Sequence, residues 1–411
     1  MQRIVNHIVA LLLLASLFSC GSKEEGIDFE GAINVDSLFV DLGQAAVAKR
    51  AKEVDAIFSG IARSGFNGVV LYAEQGQVVY RRAFGVRDLT QRHGDSLRVD
   101  DAFQISSDSK MFTAEAIMLL HAQGKLDYDD EVTKFIPEFP YAGVTVRHLL
   151  THCSGLPRYD SMADEFWPDR TKPFSNEAMI AMLVDKKPEP YGTPGGGFFY
   201  NNINYALLAS VVERVANQHF EDFMRDNIFA PLGMNRSFIY SLRNDSVMPL
   251  YMKCEVHGHE LYRRGALKVQ DFYLNGVMGD KIMFSTVDDI HCFMVALDCN
   301  LLMPDSLQNE AFQPGVSRWK RDENYGFGWR MSKEHPDFVY HFGWWKGYKS
   351  EIFRNLHENQ CLIVLTNTTY NITSSPLWEL LEDKAGRLPQ TSWNVGAVRR
   401  KCGFDNSAEP E

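Results

Sequence analysis

The sequence predicts a mixed α/β protein, a sheet bracketed by helices, on three observations: an early hairpin pattern, two apolar-striped helical segments, and β-rich runs late in the chain. The hairpin pattern is Gly68-Val69-Val70-Leu71-Tyr72, the turn residues Glu74-Gln75-Gly76-Gln77, then Val78-Val79-Tyr80. Residues 109–121 place Met111, Ala114, Ile117, Met118 and Leu120 near helical spacing, with Gly124 as a stop. Residues 203–215 line up Leu207, Leu208, Val211, Val212 and Val215 on one helical stripe. From Val339 onward, His341-Phe342-Gly343 leads into Ser350-Glu351-Ile352-Phe353 and Cys361-Leu362-Ile363-Val364-Leu365, strands expected to return to the sheet. No internal repeat is visible.

The chain has 411 residues, 45% of them apolar, enough for one large or two modest domains around a sizeable core. Its formal net charge of -11, with no basic block, disfavours nucleic acid as a partner. At the N-terminus Arg3 precedes an apolar run over residues 8–18, the length of a signal-peptide core and too short to span a bilayer. That run ends Leu17-Phe18-Ser19-Cys20-Gly21, which resembles the lipobox of bacterial lipoproteins, and Ser22-Lys23-Glu24-Glu25 resembles the surface-export tag of Bacteroidetes lipoproteins. The expectation is a signal peptide over 1–20, a lipid on Cys20, a polar tether over 21–36, a folded domain over 37–385, and a tail over 386–411. The protein is then expected on the cell envelope, held to a membrane by that lipid. The other six cysteines are scattered without the spacing of a disulfide framework or a zinc site.

A serine hydroxyl is a weak nucleophile at neutral pH and needs a base within hydrogen-bond reach. Ser-x-x-Lys occurs twice, at Ser107/Lys110 and at Ser317/Lys320. Residues three apart share a helix face, so Lys110 reaches Ser107 if a helix begins there. Ser317 follows Pro314-Gly315 and enters a charged stretch better read as a loop.

Four ordered segments carry a resemblance. They are residues 103–113 (Phe103 to Thr113, around Ser107), residues 146–157 (with His148-Leu149-Leu150-Thr151-His152-Cys153-Ser154-Gly155-Leu156-Pro157), Tyr200-Asn201-Asn202, and His341-Phe342-Gly343 with Gly347-Tyr348 after it. Together they resemble the serine β-lactamase and penicillin-binding-protein superfamily, in the branch of class C β-lactamases, DD-peptidases and related esterases, over about residues 40 to 385. The resemblance implies an antiparallel sheet flanked by helices plus a mainly helical lobe, with the site between them. It also implies a cofactor-free hydrolase acting on a small-molecule or peptide substrate through a Ser107 ester. Lys110 and Tyr200 would manage the proton, and which of them is the base is left open. Asn202 would position the substrate, with His341, Gly343 and Trp344 as the other binding residues. The resemblance places the oxyanion hole at the backbone N–H groups of Ser107 and Trp344.

Two departures from the β-lactamase pattern bear on substrate. His341 stands where a lysine gives a permanent charge, and Trp344-Trp345 stand where small residues are usual; both favour a peptidase or esterase over a lactamase. Asp108 is polar where an apolar residue is common. The rival expectation is a non-catalytic module that binds peptidoglycan or a partner in the same cleft. Weaker patterns read otherwise: Gly94-Asp95-Ser96-Leu97 with Asp288 and His291 imitates a GDSL hydrolase but lies at the wrong places, and Thr286 to Asp289 reads as the start of a helix to Leu297. His257/His259/Glu260 and His148/His152 have metal-compatible spacing, but no third ligand converges and satisfied histidines are expected there.

Overall fold

The computed structural model describes residues 43–91, 93–241, 256–269, 271–316, 323–372, 374–384 and 386–388. The expected signal peptide, Cys20, the tether and the Ser317/Lys320 pair lie outside them. In chain order the helices are α1 (Gln44–Arg63), α2 (Ser109–Ala122), α3 (Val146–Leu150), α4 (Tyr159–Phe166), α5 (Asn176–Lys186), α6 (Asn202–Ala216), α7 (Phe220–Met224), α8 (Val287–Asp298), α9 (Asp305–Gln308) and α10 (Ser374–Glu382). The strands are β1 (Gly68–Glu74), β2 (Gln77–Phe84), β3 (Phe103–Gln104), β4 (Phe238–Ile239), β5 (His259–Tyr262), β6 (Gly265–Lys268), β7 (Met283–Ser285), β8 (Glu323–Tyr325), β9 (Arg330–Ser332), β10 (Phe338–Trp345), β11 (Tyr348–Asn355) and β12 (Cys361–Thr366).

Gln75 and Gly76, at φ 55° and 72°, close the two-residue turn that folds β2 back on β1. The main sheet has the order β2-β1-β12-β11-β10-β9-β8, and every pairing in it is antiparallel. The late strands thus insert beside the first, as their β-rich composition predicted. Both faces of the sheet are covered, and the pleat sorts the side chains. Val69 and Leu71 of β1, with Ile363 and Leu365 of β12, face the large core shared with α2, α6 and α8. Val70, Tyr72, Leu362 and Val364 face the opposite way, onto Val54 and Phe58 of α1 and Leu377 and Leu381 of α10.

Helix α2 is buried along nearly its whole length, and α6 packs beside it. The expected helices over 109–121 and 203–215 therefore form the centre of the helical lobe. On the far face, Arg50 is buried and ties three elements together. Its Nε donates to Glu74 Oε1 at 2.9 Å, and its Nη1 donates to Asp383 Oδ2 at 3.0 Å. Residues 386–388, expected in the tail, pack against the domain: Leu388 is buried and its N–H donates to Glu74 at 2.7 Å. Among the described residues no helix is long and apolar enough to cross a membrane, and no disulfide is formed.

Candidate active site

The Ser107 segment, the candidate nucleophile segment, enters from β3, which pairs with β7, and turns sharply at Ser106. Ser106 has φ 53°, a left-handed conformation that costs a non-glycine residue energy. Its carbonyl accepts the Ser109 hydroxyl at 2.6 Å, which fixes the turn Ser106–Asp108 before α2 begins. From Phe103 to Leu120 every residue is buried except Ser107. The turn therefore holds one hydroxyl at the surface of a buried stretch.

Lys110 has no exposure, yet its amine is met by two oxygens. Nζ lies 3.1 Å from Ser107 Oγ and 2.7 Å from the carbonyl oxygen of Asp280. The segment 279–283 is laced along the nucleophile segment by further bonds: Thr113 Oγ1 to Gly279 O at 2.7 Å, Met283 N to Ser109 Oγ at 3.2 Å, and Gln104 Nε2 to Lys281 O at 3.2 Å. This strap supplies the acceptor that makes burial of Lys110 tolerable.

Tyr200 precedes α6 and lays its ring 5.1 Å from Lys110 Nζ. Its hydroxyl is buried without a hydrogen-bond partner, as is Asn202 Oδ1. The structure thus brings Tyr200 to the Ser107/Lys110 pair through its ring, with the hydroxyl unengaged. Arg330 Cζ lies 4.7 Å from the centroid of the same ring. The N-terminus of α6 is fixed by its asparagines. Asn201 caps Ile203 N and donates to Leu156 O at 2.8 Å, while Asn204 accepts the Ser154 hydroxyl at 2.6 Å. This lacing joins two of the four motif segments.

The third box approaches from β10. A Cβ on Gly343 would stand 2.1 Å from Ser350 Oγ and 2.3 Å from Ile105 O, so glycine alone lets β10 lie against the nucleophile turn. Strand alternation puts His341, Gly343 and Trp345 on that inner side and Phe342 and Trp344 on the outer. The two indoles therefore separate. Trp345 is half-buried, donates to Asn275 Oδ1 at 2.7 Å and walls the inner side. Trp344 is 61% exposed on the opposite face, which leaves only its backbone available to the site.

His341 does not present a nitrogen to the cleft. It is fully buried, with Nδ1 3.0 Å from Asp108 Oδ1 and Nε2 2.9 Å from the Tyr325 hydroxyl. Burial raises the Asp108 carboxyl to about 8, and burial together with the charges of Arg330 and Lys110 holds His341 well below its ordinary 6.5. The pair is neutral, one proton held between Asp108 and Nδ1. His341 is thus a structural strut rather than a pH-gated charge facing substrate.

His148, His152 and His259 are held by hydrogen bonds within the fold, although His152 is not fully satisfied, its buried Nε2 having no hydrogen-bond partner. His152 is buried, and its Nδ1 accepts from Asn204 Nδ2 at 2.9 Å and Asn201 N at 3.2 Å. His148 Nδ1 accepts from Thr145 N, closing a capping box. His259 Nε2 meets Asp88 at 3.1 Å. Among the described residues no three potential ligands converge on a metal position. In the GDSL-like pair, Thr286 caps α8 by accepting from Asp289 N, and Asp288 is spent on a surface ion pair with Arg81.

The shared proton has a measurable consequence. Unfolded, Asp108 titrates near 3.8 and His341 near 6.5; folded, the pair keeps its proton up to about 8. Between pH 6.5 and 8 the folded state binds a proton that the unfolded state has lost, so stability falls as pH rises, by roughly 1–2 kcal/mol. Asp108→Asn retains an N–H donor for Nδ1 and is expected to remove that fall, measured by urea unfolding at both pH values. A fall of equal size in the variant would show that Asp108 holds no proton in the fold.

Comparison with known proteins places the chain in a family. A family model described as Beta-lactamase matches residues 48–387. Penicillin-binding protein 4* of Bacillus subtilis (strain 168) is 33% identical over 328 residues, 77% of this chain and 72% of that protein. Protein flp of Staphylococcus aureus (strain N315) is 26% identical over 312 residues, 72% of this chain but 59% of flp. Among solved structures, the octameric penicillin-binding protein homologue from Pyrococcus abyssi aligns with a TM-score of 0.69 at 27% identity, covering 82% of this chain and 78% of that one. D-amino acid amidase from Ochrobactrum anthropi SV3, complexed with D-phenylalanine, aligns at 0.65 and 22% identity over 85% of this chain and 100% of that one, a likeness of fold alone. The chain belongs to the β-lactamase family, in the serine hydrolase superfamily that includes the penicillin-binding proteins.

Proposed function

We propose that the protein cleaves an amide or ester through an acyl-enzyme on Ser107, with peptides or amides of D-amino acids as its substrate class. The observation that carries the proposal is one accessible hydroxyl, in an otherwise buried stretch, 3.1 Å from a buried amine. In the reaction, Ser107 Oγ attacks the carbonyl carbon while its proton passes to Lys110 Nζ or to the Tyr200 oxygen. The C–N or C–O bond then breaks, and the leaving amine or alcohol takes that proton. Water adds to the ester, gives up a proton by the same route, and frees Ser107 and the carboxylic acid. The backbone N–H groups of Ser107 and Trp344 are assigned to the developing oxyanion, which the close approach of β10 at Gly343 supports. Asn202, whose amide oxygen has no internal partner, is assigned to the substrate amide.

His341 supports a peptidase, amidase or esterase over a lactamase, because both its ring nitrogens are engaged within the protein and it offers no permanent charge to a substrate carboxylate. A D-amino acid amidase among the structural neighbours places such chemistry on this fold without transferring it. The expected outcome is a mass adduct on Ser107 with an activated ester or a D-alanyl depsipeptide, absent in Ser107→Ala, and a loss of roughly 10²–10⁴-fold in kcat for Lys110→Ala. Intact-mass spectrometry reads the first and steady-state kinetics the second. Binding of a peptidoglycan fragment that survives Ser107→Ala, with no adduct on either protein, would instead establish a binding module.

We also propose that Cys20 carries a lipid that holds the domain to a membrane of the cell envelope, on the small residues that flank it after an apolar run. Metabolic labelling with palmitate is expected to mark the full-length protein and not Cys20→Ala. Equal labelling of both would refute the anchor.

A further inference from the structure

A second buried lysine stands beside the first, and none of the roles described above uses it. Lys281 is 1% exposed and Asp280 is fully buried. Lys281 Nζ lies 3.1 Å from Asp280 Oδ1 and 3.2 Å from Oδ2, and it also donates to the Tyr159 hydroxyl. Tyr159 in turn donates to Asp280 Oδ2 at 2.7 Å. The same ammonium lies 4.9 Å from the ring centroid of Trp345, on the cleft side of β10. The three groups form a closed triangle with no net charge, a costly thing to bury unless it is complete.

The triangle touches the nucleophile machinery at one atom. The residue whose carboxylate it neutralises is the residue whose carbonyl oxygen holds Lys110 Nζ at 2.7 Å. An Asp280 carboxylate without its cation would act as a counter-ion for Lys110 and retain the proton there. Asp280 balanced by Lys281 offers Lys110 only a neutral carbonyl dipole. Burial, and repulsion from Lys110, lower the affinity of Lys281 for its proton, while Asp280 and the nearby charge of Asp160 raise it.

We infer that Lys281 and Asp280 are positioning residues for the Ser107 reaction: as a charge-balanced pair they leave the Lys110 amine free to take up and release the serine proton. This rests on the hydrolase reading above. The other titratable groups around Lys110 do not perform that task. Tyr200 and Tyr205 present ring faces, at 5.1 and 5.9 Å. Asp108 and His341 share a proton as a neutral pair, and burial keeps His152 neutral. Arg330 lies over the Tyr200 ring, 4.7 Å from its centroid, and is a cation that cannot neutralise Asp280 through a bond to it. Asp280 is the carboxylate bonded through its own backbone to Lys110, and Lys281 is its cation.

The test is the pH dependence of acylation by an activated ester, followed in wild type and in three nearly isosteric variants. Deprotonation of the base gives a limb that rises with pH. Lys281→Met leaves the negative member of the pair, so the limb is expected to move to higher pH by roughly one unit; Asp280→Asn leaves the positive member and moves it lower by a similar amount. Asp280→Asn/Lys281→Met, neutral again, returns the limb to the wild-type position. A purely structural role predicts slower reaction or lower stability in all three with the limb unmoved, and that result overturns the inference. The double variant keeps the test valid if either single variant fails to fold, because a limb displaced in the neutral protein also contradicts it. The titration of Lys110 read by 13C NMR on protein carrying ε-13C-lysine needs no turnover. Absence of any acyl adduct on wild type therefore counts against the hydrolase reading, whereas unchanged Lys110 titration across the variants counts against the pairing.

Discussion

The structure is organised around an amine that water does not reach. A lysine with no exposure must find its partners inside the protein or lose its charge, and Lys110 finds two, the Ser107 hydroxyl and the Asp280 carbonyl. Much of the surrounding architecture follows from supplying them. The strap 279–283 has to run beside α2, and it does so through β7, which pairs with β3 at the entrance to the nucleophile turn. The turn has to present Ser107 outward while turning Ser109 and Lys110 inward, and the left-handed Ser106 accomplishes that reversal. The third strand segment has to approach without a side chain, and Gly343 permits it.

Electrostatically, Lys110 is surrounded by groups that are neutral or paired, with Arg330 over the Tyr200 ring as the further cation. Asp108 and His341 cancel, Asp280 and Lys281 cancel, and His152 is kept neutral by burial. In a low-dielectric interior an unbalanced charge would dominate any nearby titration. Balanced pairs supply rigid hydrogen bonds with no net charge of their own. The cost is that each pair is fragile toward loss of a single member, a property of buried ion pairs generally.

The features carried by local pattern were legible in the sequence. The Gln75-Gly76 turn, the apolar stripes of α2 and α6 and the β-rich runs of β11 and β12 depend on spacing alone, and they fold where that spacing puts them. The Ser107/Lys110 contact was legible for the same reason, the two being three residues apart at a helix start. The function of His341 was not, because its partner Asp108 lies 233 residues away and a histidine in a strand carries no mark of burial. Asp108 gave a partial signal as a charge in an apolar setting. Asp280 and Lys281 gave almost none: two opposite charges beside a glycine look like a surface turn, and only the fold shows them enclosed. The separation of Trp344 from Trp345 follows from strand alternation once the inner face of β10 is known.

The central claim is that Ser107 is the reacting atom's address and that β10 supplies the other half of the oxyanion site. The most direct measurement is a crystal structure of the protein after reaction with a phosphonate mimic of a D-amino-acid ester. The account predicts a covalent P–O bond to Ser107 Oγ, with the phosphonyl oxygen within hydrogen-bond reach of the backbone N–H groups of Ser107 and Trp344. A phosphonate bound at another nucleophile, or attached to Ser107 with that oxygen turned away from β10, would contradict it.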